Sequence, residues 1–360
     1  MNIVSLAAKP RDPVQIAQVI PLTGSAARLG QAWRSGVEMA VLETNETGGL
    51  GGLDVQVLTY DSTAPALTGG RSSLVRALEG PISAVFAMGS PAVITAALPL
   101  VAERKVAMIT PGASWPGAAA AWLSLASAPP HRRMDRLARW AHSHAGWRRV
   151  GMLGTAADGE RPWRAAFQRA AGAIGIEIVA DTKLLARGDP GSEVARLLAA
   201  APDAVFVDGA PAACALALGA LRRQAPLLPV LGEAVLLAPP TLELAGTAAT
   251  HLFVHIGEAA DAPPLAAFTA RYAALFHQQP ASDAIEGFIA VSMVRAGLAR
   301  VAADEAGSLA EALRGLRVTA AEALFDTMWD DTGAPRRASF IAHMRSAGDV
   351  AWLTLGTTPG

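Results

Sequence analysis

Hydroxyls and backbone amides gathered where apolar runs give way to helical patterns are the chemistry-bearing feature of this chain. Pro21-Leu22-Thr23-Gly24-Ser25-Ala26-Ala27-Arg28-Leu29-Gly30-Gln31 follows the first apolar run and opens the first helical pattern. A small polar loop in that place presents unpaired N–H groups and the positive end of the helix dipole, which suits an anionic group. Met88-Gly89-Ser90-Pro91 repeats the arrangement. Ser90 is a good N-cap and Pro91 an ideal first helical residue, while Gly89 leaves room for a ligand against the backbone. Thr110-Pro111-Gly112-Ala113-Ser114-Trp115-Pro116 is the third such stretch, offering the Ser114 hydroxyl and a Trp115 wall. Turn formation and helix capping account for the same residues without any ligand.

Acids occupy comparable places in the second half of the chain. Asp158 lies in Gly154-Thr155-Ala156-Ala157-Asp158-Gly159-Glu160, and Asp208-Gly209-Ala210-Pro211 and Gly232-Glu233 end later apolar runs. Asp158 and Asp208 can serve simply as helix caps. Glu233 is harder to explain that way, because no strong helical pattern starts there. Acids in one half and hydroxyl and N–H donors in the other would suit a zwitterion.

Catalytic readings fare poorly. The first loop has no Gly-Lys-Ser/Thr ending and no GxGxxG spacing. Gly112-Ala113-Ser114 suggests a GxSxG elbow, but position 116 is Pro. The seven histidines lack HExxH spacing, and His142 and His144, two apart, point to different helix faces. The single cysteine, Cys214, excludes an intrachain disulfide and falls in an apolar helical run, where an inert buried thiol is expected. Thirty basic and 31 acidic residues give a formal charge of −1, which argues against nucleic acid as a partner. No cofactor, no metal and no enzymatic activity are expected; the chain should bind a solute rather than transform it.

The elements that must hold these stretches follow from the pattern. With 360 residues, 52% hydrophobic and 17% charged, the chain has material for two domains with large cores. Val14–Ile20, Leu53–Thr59, Ala84–Met88 and Ala107–Thr110 read as buried strands between helices at Gly30–Glu43, Ala66–Leu78 and Ala92–Glu103. The pattern restarts with strands Val150–Leu153, Ile176–Ala180, Ala204–Val207 and Leu228–Leu231 between helices Met134–His144, Pro162–Gly172, Glu193–Ala201 and Ala212–Arg223. Such alternation implies two doubly wound parallel-sheet lobes, each with a crevice at the carboxyl ends of its strands. A further strand at Leu252–Ile256, helices at Pro264–Phe276, Asp283–Ala302 and near Leu309–Leu316, and short β pieces form a tail that returns to complete both lobes. The expected division is 1–120 with 252–328 for lobe I, and 121–251 with 329–360 for lobe II. No run reaches a membrane span without a charge, Pro or Gly. The N-terminus lacks the basic start and long apolar core of a secretory signal, so an exported protein would have lost its leader.

These stretches, in this order, resemble the type I periplasmic binding proteins of the branched-chain amino-acid (Leu/Ile/Val) family, the solute receptors of ABC importers. The resemblance is carried by Ile20-Pro21-Leu22-Thr23-Gly24 with Gly30, Gly36-Val37-Glu38-Met39-Ala40, Glu43-Thr44-Asn45 with Gly48, Gly49 and Gly52, and Asp61. Ser90, Ile109 to Ser114, Asp158-Gly159 with Ala166-Phe167, and Trp329-Asp330 with Gly333 extend it over nearly the whole chain. It implies two lobes joined by three crossovers that close on a hinge around a small carboxylate-bearing solute, an amino acid or related organic acid. It implies that Ser90 and Gly112, Ala113 and Ser114 hold the α-carboxylate, and that Ser114 and Glu233 hold the α-amine. Positions at which the family often carries pocket aromatics are Leu29, Asp158 and Ala210 here, with Trp33, Trp115 and Trp163 as replacement walls. The partners implied are the importer's membrane subunits, in a periplasmic setting. A cytoplasmic amide or amino-acid sensor of the same fold is the alternative reading.

Overall fold

Short apolar runs become parallel strands here because both of their faces are covered, leaving no polar alternation. The computed structural model describes residues 12–24, 26–62, 69–155, 162–184, 188–258, 265–346 and 348–356. It separates into one unit of Met1–Ser127 with Pro263–Arg336 and a second of Ala128–Ala262 with Arg337–Gly360.

Unit 1 begins β1 (Val14–Ile20), α1 (Ala27–Glu46), β2 (Val55–Asp61), α2 (Gly69–Ala77), β3 (Ala84–Ala87), α3 (Pro91–Arg104), β4 (Ala107–Thr110) and β5 (Leu123–Leu125). Its parallel sheet runs β2-β1-β3-β4-β5. In α1, Gly30, Trp33, Val37, Ala40 and Thr44 recur at three- and four-residue spacing and are buried, the stripe a sheet-covering helix requires.

Unit 2 continues with α4 (Pro130–Ser143), β6 (Arg149–Thr155), α5 (Pro162–Ala173), β7 (Glu177–Leu184), α6 (Gly191–Leu198), β8 (Ala204–Asp208), α7 (Pro211–Gln224), β9 (Val230–Gly232), α8 (Pro239–Ala245) and β10 (Leu252–Ile256). The chain then returns to unit 1 for α9 (Ala266–Phe276), α10 (Ser282–Ala302), α11 (Leu309–Ala312), β11 (Arg317–Val318), α12 (Ala320–Ala323), β12 (Thr327–Trp329) and β13 (Pro335–Arg336). Unit 2 is completed by β14 (Ser339–Ser346) and β15 (Asp349–Leu355). Its sheet order is β15-β14-β10-β9-β8-β6-β7, parallel from β7 to β10 and antiparallel at β14 and β15. Proline opens α3, α4, α5, α7 and α8. Its missing N–H costs nothing at a first helical position, and its φ is already helical.

The fold class is the expected one: α/β, with two doubly wound, mainly parallel sheets in two units between which the chain passes three times. The boundaries differ from the expected 120/121, 251/252 and 328/329. Leu123–Leu125 stays in unit 1 because it hydrogen-bonds in parallel to β4. Leu252–Ile256 belongs to unit 2, inserted between β9 and β14. Residues 329–336 remain in unit 1, where β12 and β13 pair and the Trp329 indole Nε1 donates to the Leu125 carbonyl at 2.7 Å. A short apolar run looks the same whichever sheet receives it, so only the pairing decides. The helix α8 was not expected, nor were the small strands β11 and β13.

Helices α1 and α10 meet backbone to backbone. A Cβ built on Gly36 would lie 1.8 Å from the Ala284 carbonyl oxygen, and one on Gly287 would lie 2.3 Å from that of Trp33. Trp33 is thereby sealed in the core, edge-on to Phe86 at 6.1 Å. It is not a pocket wall. Cys214 is likewise buried, its thiol against the Gly209 carbonyl. Among the described residues no helix is long and apolar enough to cross a membrane, and no group of three or more His, Cys, Asp or Glu could hold a metal ion.

Candidate functional site

In unit 1 the strand tips gather the expected donors. Asp61, at the end of β2, anchors the first loop: its carboxylate accepts from the Leu22 N–H at 3.0 Å and from the Thr23 hydroxyl at 2.9 Å. Leu29 stands half exposed in the first turn of α1. Ser90 caps α3, its Oγ accepting from the Val93 N–H at 3.4 Å, and is exposed. Gly112–Ser114 forms one 3-10 turn after β4, with the Gly112 N–H donating to Ser127 Oγ at 2.8 Å.

The turn leaves specific capacity open. Ser114 is buried, and its Oγ accepts from the Gly89 N–H at 3.4 Å, joining the tips of β3 and β4. Accepting that bond leaves the Ser114 hydroxyl proton available, and among the described residues nothing accepts it. The Ala113 N–H is in the same state: the neighbouring Ser114 and Trp115 N–H groups bond to Pro111 and Gly112 carbonyls, and Ala113's does not. One hydroxyl and one amide side by side are the donors that an anionic oxygen needs. Trp115 is half-buried against the unit 1 core. Ser90, Gly112, Ala113, Ser114 and Trp115 are thus neighbours, with Leu29 on a separate helix.

In unit 2, Ala210 occupies the N-cap of α7 and is exposed, without a side chain that could cap. Glu233 is half-buried and precedes a 3-10 turn at Ala234–Leu237, which the sequence pattern did not suggest. Both follow neighbouring strands, β8 and β9. Asp158 lies outside the described residues.

A second polar group of unit 2 escaped sequence reasoning. Arg133, in the first turn of α4, is 5% exposed and lies over the Trp163 ring of α5, its Cζ 5.0 Å from the ring centroid. Its Nη2 donates to the His255 carbonyl at 3.4 Å. The Arg136 guanidinium donates to Ser339 Oγ at 2.5 Å, and the same oxygen is hydrogen-bonded with His255 Nε2, 3.0 Å away. Arg337 and Glu258 form an ion pair with side chains 3% and 0% exposed. The Arg-Arg doublet at 132–133 was the available signal, but helical period alone does not tell a buried arginine from a solvated one.

Burial, and then the charges of Arg133 and Arg136, push the His255 pKa well below 6.5. The unfolded chain therefore takes up the proton first as pH falls. The stability carried by neutral His255 is complete above about 6.5 and is lost below it, at up to about 1.4 kcal/mol per pH unit. His343, whose pKa is also lowered by burial, acts in the same direction. The urea midpoint is expected to drop between pH 7 and pH 5, with a shallower drop in His255→Gln. An identical slope in that variant would assign the proton uptake to other groups.

Two doubly wound α/β units between which the chain passes three times define the class of two-unit α/β proteins. A sequence profile described as Periplasmic binding protein matches residues 13–349, and the chain belongs to that family. No curated protein is similar enough to count as a match. Among solved structures, a putative branched-chain amino acid ABC transporter from Rhodospirillum rubrum is 22% identical, with TM-score 0.77, covering 95% of this chain and 100% of its own. The leucine-, isoleucine-, valine-, threonine- and alanine-binding protein of Brucella ovis, in a closed conformation, is 18% identical with TM-score 0.81, covering 97% and 95%. A solute-binding protein of an ABC transporter from R. palustris, in complex with benzoate, is 18% identical with TM-score 0.73, covering 96% of both chains. At these identities the likeness is one of fold.

Proposed function

We propose that this chain is the extracytoplasmic solute receptor of an ABC importer and binds a small carboxylate-bearing solute without chemical change. One observation carries the reading: the buried Ser114 hydroxyl and the Ala113 N–H, adjacent in a single turn, both lack an acceptor among the described residues. A buried hydroxyl proton without an acceptor, as at Ser114, costs free energy until one arrives, and the exposed Ala113 N–H beside it offers a second donor to a carboxylate's two oxygens. The family supports the receptor role. The named ligands of two structural neighbours, amino acids and benzoate, share a carboxylate. The importer's membrane subunits are the protein partners this role requires.

The test is calorimetry and thermal shift with amino acids and small organic acids. A ligand of the native state raises the melting temperature by mass action. Ser114→Ala is expected to weaken binding by about 1–3 kcal/mol, because the lost hydroxyl would pair with a charged group. Absence of any shift across both libraries would refute the receptor role. Unchanged affinity in the variant would remove Ser114 from the site.

A further inference from the structure

We infer that Ser127 is a positioning residue for the proposed carboxylate site: its buried hydroxyl aims the Ala113 and Ser114 donors and ties them to the point where the chain leaves unit 1. The inference rests on the receptor reading, in which the Gly112–Ser114 turn takes a carboxylate.

The parallel ladder between β4 and β5 stops just where the turn begins. Its last backbone rung is the Ala126 N–H donating to the Thr110 carbonyl at 2.9 Å. Pro111 has no N–H to offer, and the chain turns away. The next donor along β4 is the N–H of Gly112, which is buried. A side chain meets it: Ser127 Oγ accepts at 2.8 Å, and Ser127 is 0% exposed. A buried N–H without an acceptor is costly, so this bond fixes the peptide that enters the turn. The next peptide carries the Ala113 N–H and the one after it leads into Ser114. With only two soft dihedrals per residue, re-aiming the first peptide re-aims the donors that follow.

Ser127 is itself held. Leu125, two residues before it, donates its N–H to the Gly333 carbonyl at 2.8 Å, and its own carbonyl accepts from the Trp329 indole at 2.7 Å. Trp329 is wholly buried. A hydroxyl on clamped backbone sets the direction of the turn rather than following it. Unit 1 ends at Ser127 and unit 2 begins at Ala128. A carboxylate on Ala113 and Ser114 and the Ser127 bond to Gly112 act on one short turn, so each strengthens the other. Occupancy of the turn is thereby felt at the residue from which the chain crosses to unit 2.

Calorimetry on the full chain, well below its melting temperature, tests this with leucine, benzoate and succinate as the probes. The best-bound probe is expected to lose about tenfold or more in affinity in Ser127→Ala. Ser127→Thr keeps the hydroxyl and should stay within about threefold of the wild type. Ser292→Ala is the matched control and should leave affinity unchanged: it deletes another buried hydroxyl, one that bonds back within α10 to the Phe288 carbonyl at 3.2 Å. Hydrogen exchange on the wild type reads the bond itself, and the best-bound probe should slow the Gly112 amide about tenfold or more. Wild-type affinity in Ser127→Ala would overturn the inference, as would an equal loss in Ser127→Thr or Ser292→Ala. So would a Gly112 amide indifferent to the probe, a result that counts even if Ser127→Ala does not fold. If a probe binds and only the Ser127 expectations fail, the receptor reading stands. If none of the three binds, this inference fails, and the receptor reading falls with it only if the wider libraries are also silent.

Discussion

Glu258→Gln is expected to lower the stability of the protein by about 3–5 kcal/mol, the cost of breaking a buried ion pair from one side. The replaced carboxylate is wholly buried and faces Arg337, which is 3% exposed. The amide keeps the shape and loses the charge. Arg337 would then lose its buried carboxylate partner near Arg136, in a region that also contains Arg133. Urea denaturation followed by tryptophan fluorescence reads the effect as a lower midpoint. The paired replacement Glu258→Leu with Arg337→Met should recover much of the loss, since removing both charges also removes their desolvation cost. A single variant costing less than about 1 kcal/mol would mean that water or another acid compensates Arg337.

Gly36→Ala should be nearly as severe, at about 3 kcal/mol, the upper part of the range for overpacking a filled interior. The added methyl would lie 1.8 Å from the Ala284 carbonyl oxygen. Backbone cannot rotate out of the way as a side chain can, so α1 and α10 must separate, opening the packing around Trp33 and Gly287. Gly172→Ala, in α5, is the matched control. It is exposed, and nothing lies within 4 Å of its added Cβ. There the same chemical change should stabilise by about 0.5–1 kcal/mol through helix propensity alone. Equal effects at the two positions would show that propensity, not contact, governs Gly36.

Much of the unit 1 donor cluster was legible beforehand. Ser90 before Pro91, and Gly112-Ala113-Ser114 after an apolar run, are local signals: capping, a proline-opened helix and small residues at a strand end all act within a few positions of one another. The unit 2 group was not legible. The Arg133 bond to His255 spans 122 residues and the Arg337–Glu258 pair spans 79. No spacing rule reaches that far. Glu233 shows an intermediate case, because its place at the end of β9 could be read but the 3-10 turn that follows it could not.

Sequence alone determined most of the longer strands and helices, their alternation into two parallel-sheet units, and where small residues end the strands. Those outcomes depend on hydrophobic period and turn chemistry, which near neighbours set. Tertiary structure decided which sheet received Leu123–Leu125 and Leu252–Ile256, that Trp33 is core, and that Arg133 is buried on Trp163. Burial and pairing are properties of the assembled neighbourhood: a guanidinium has the same sequence signature in water as under a ring, and only long-range packing separates the two.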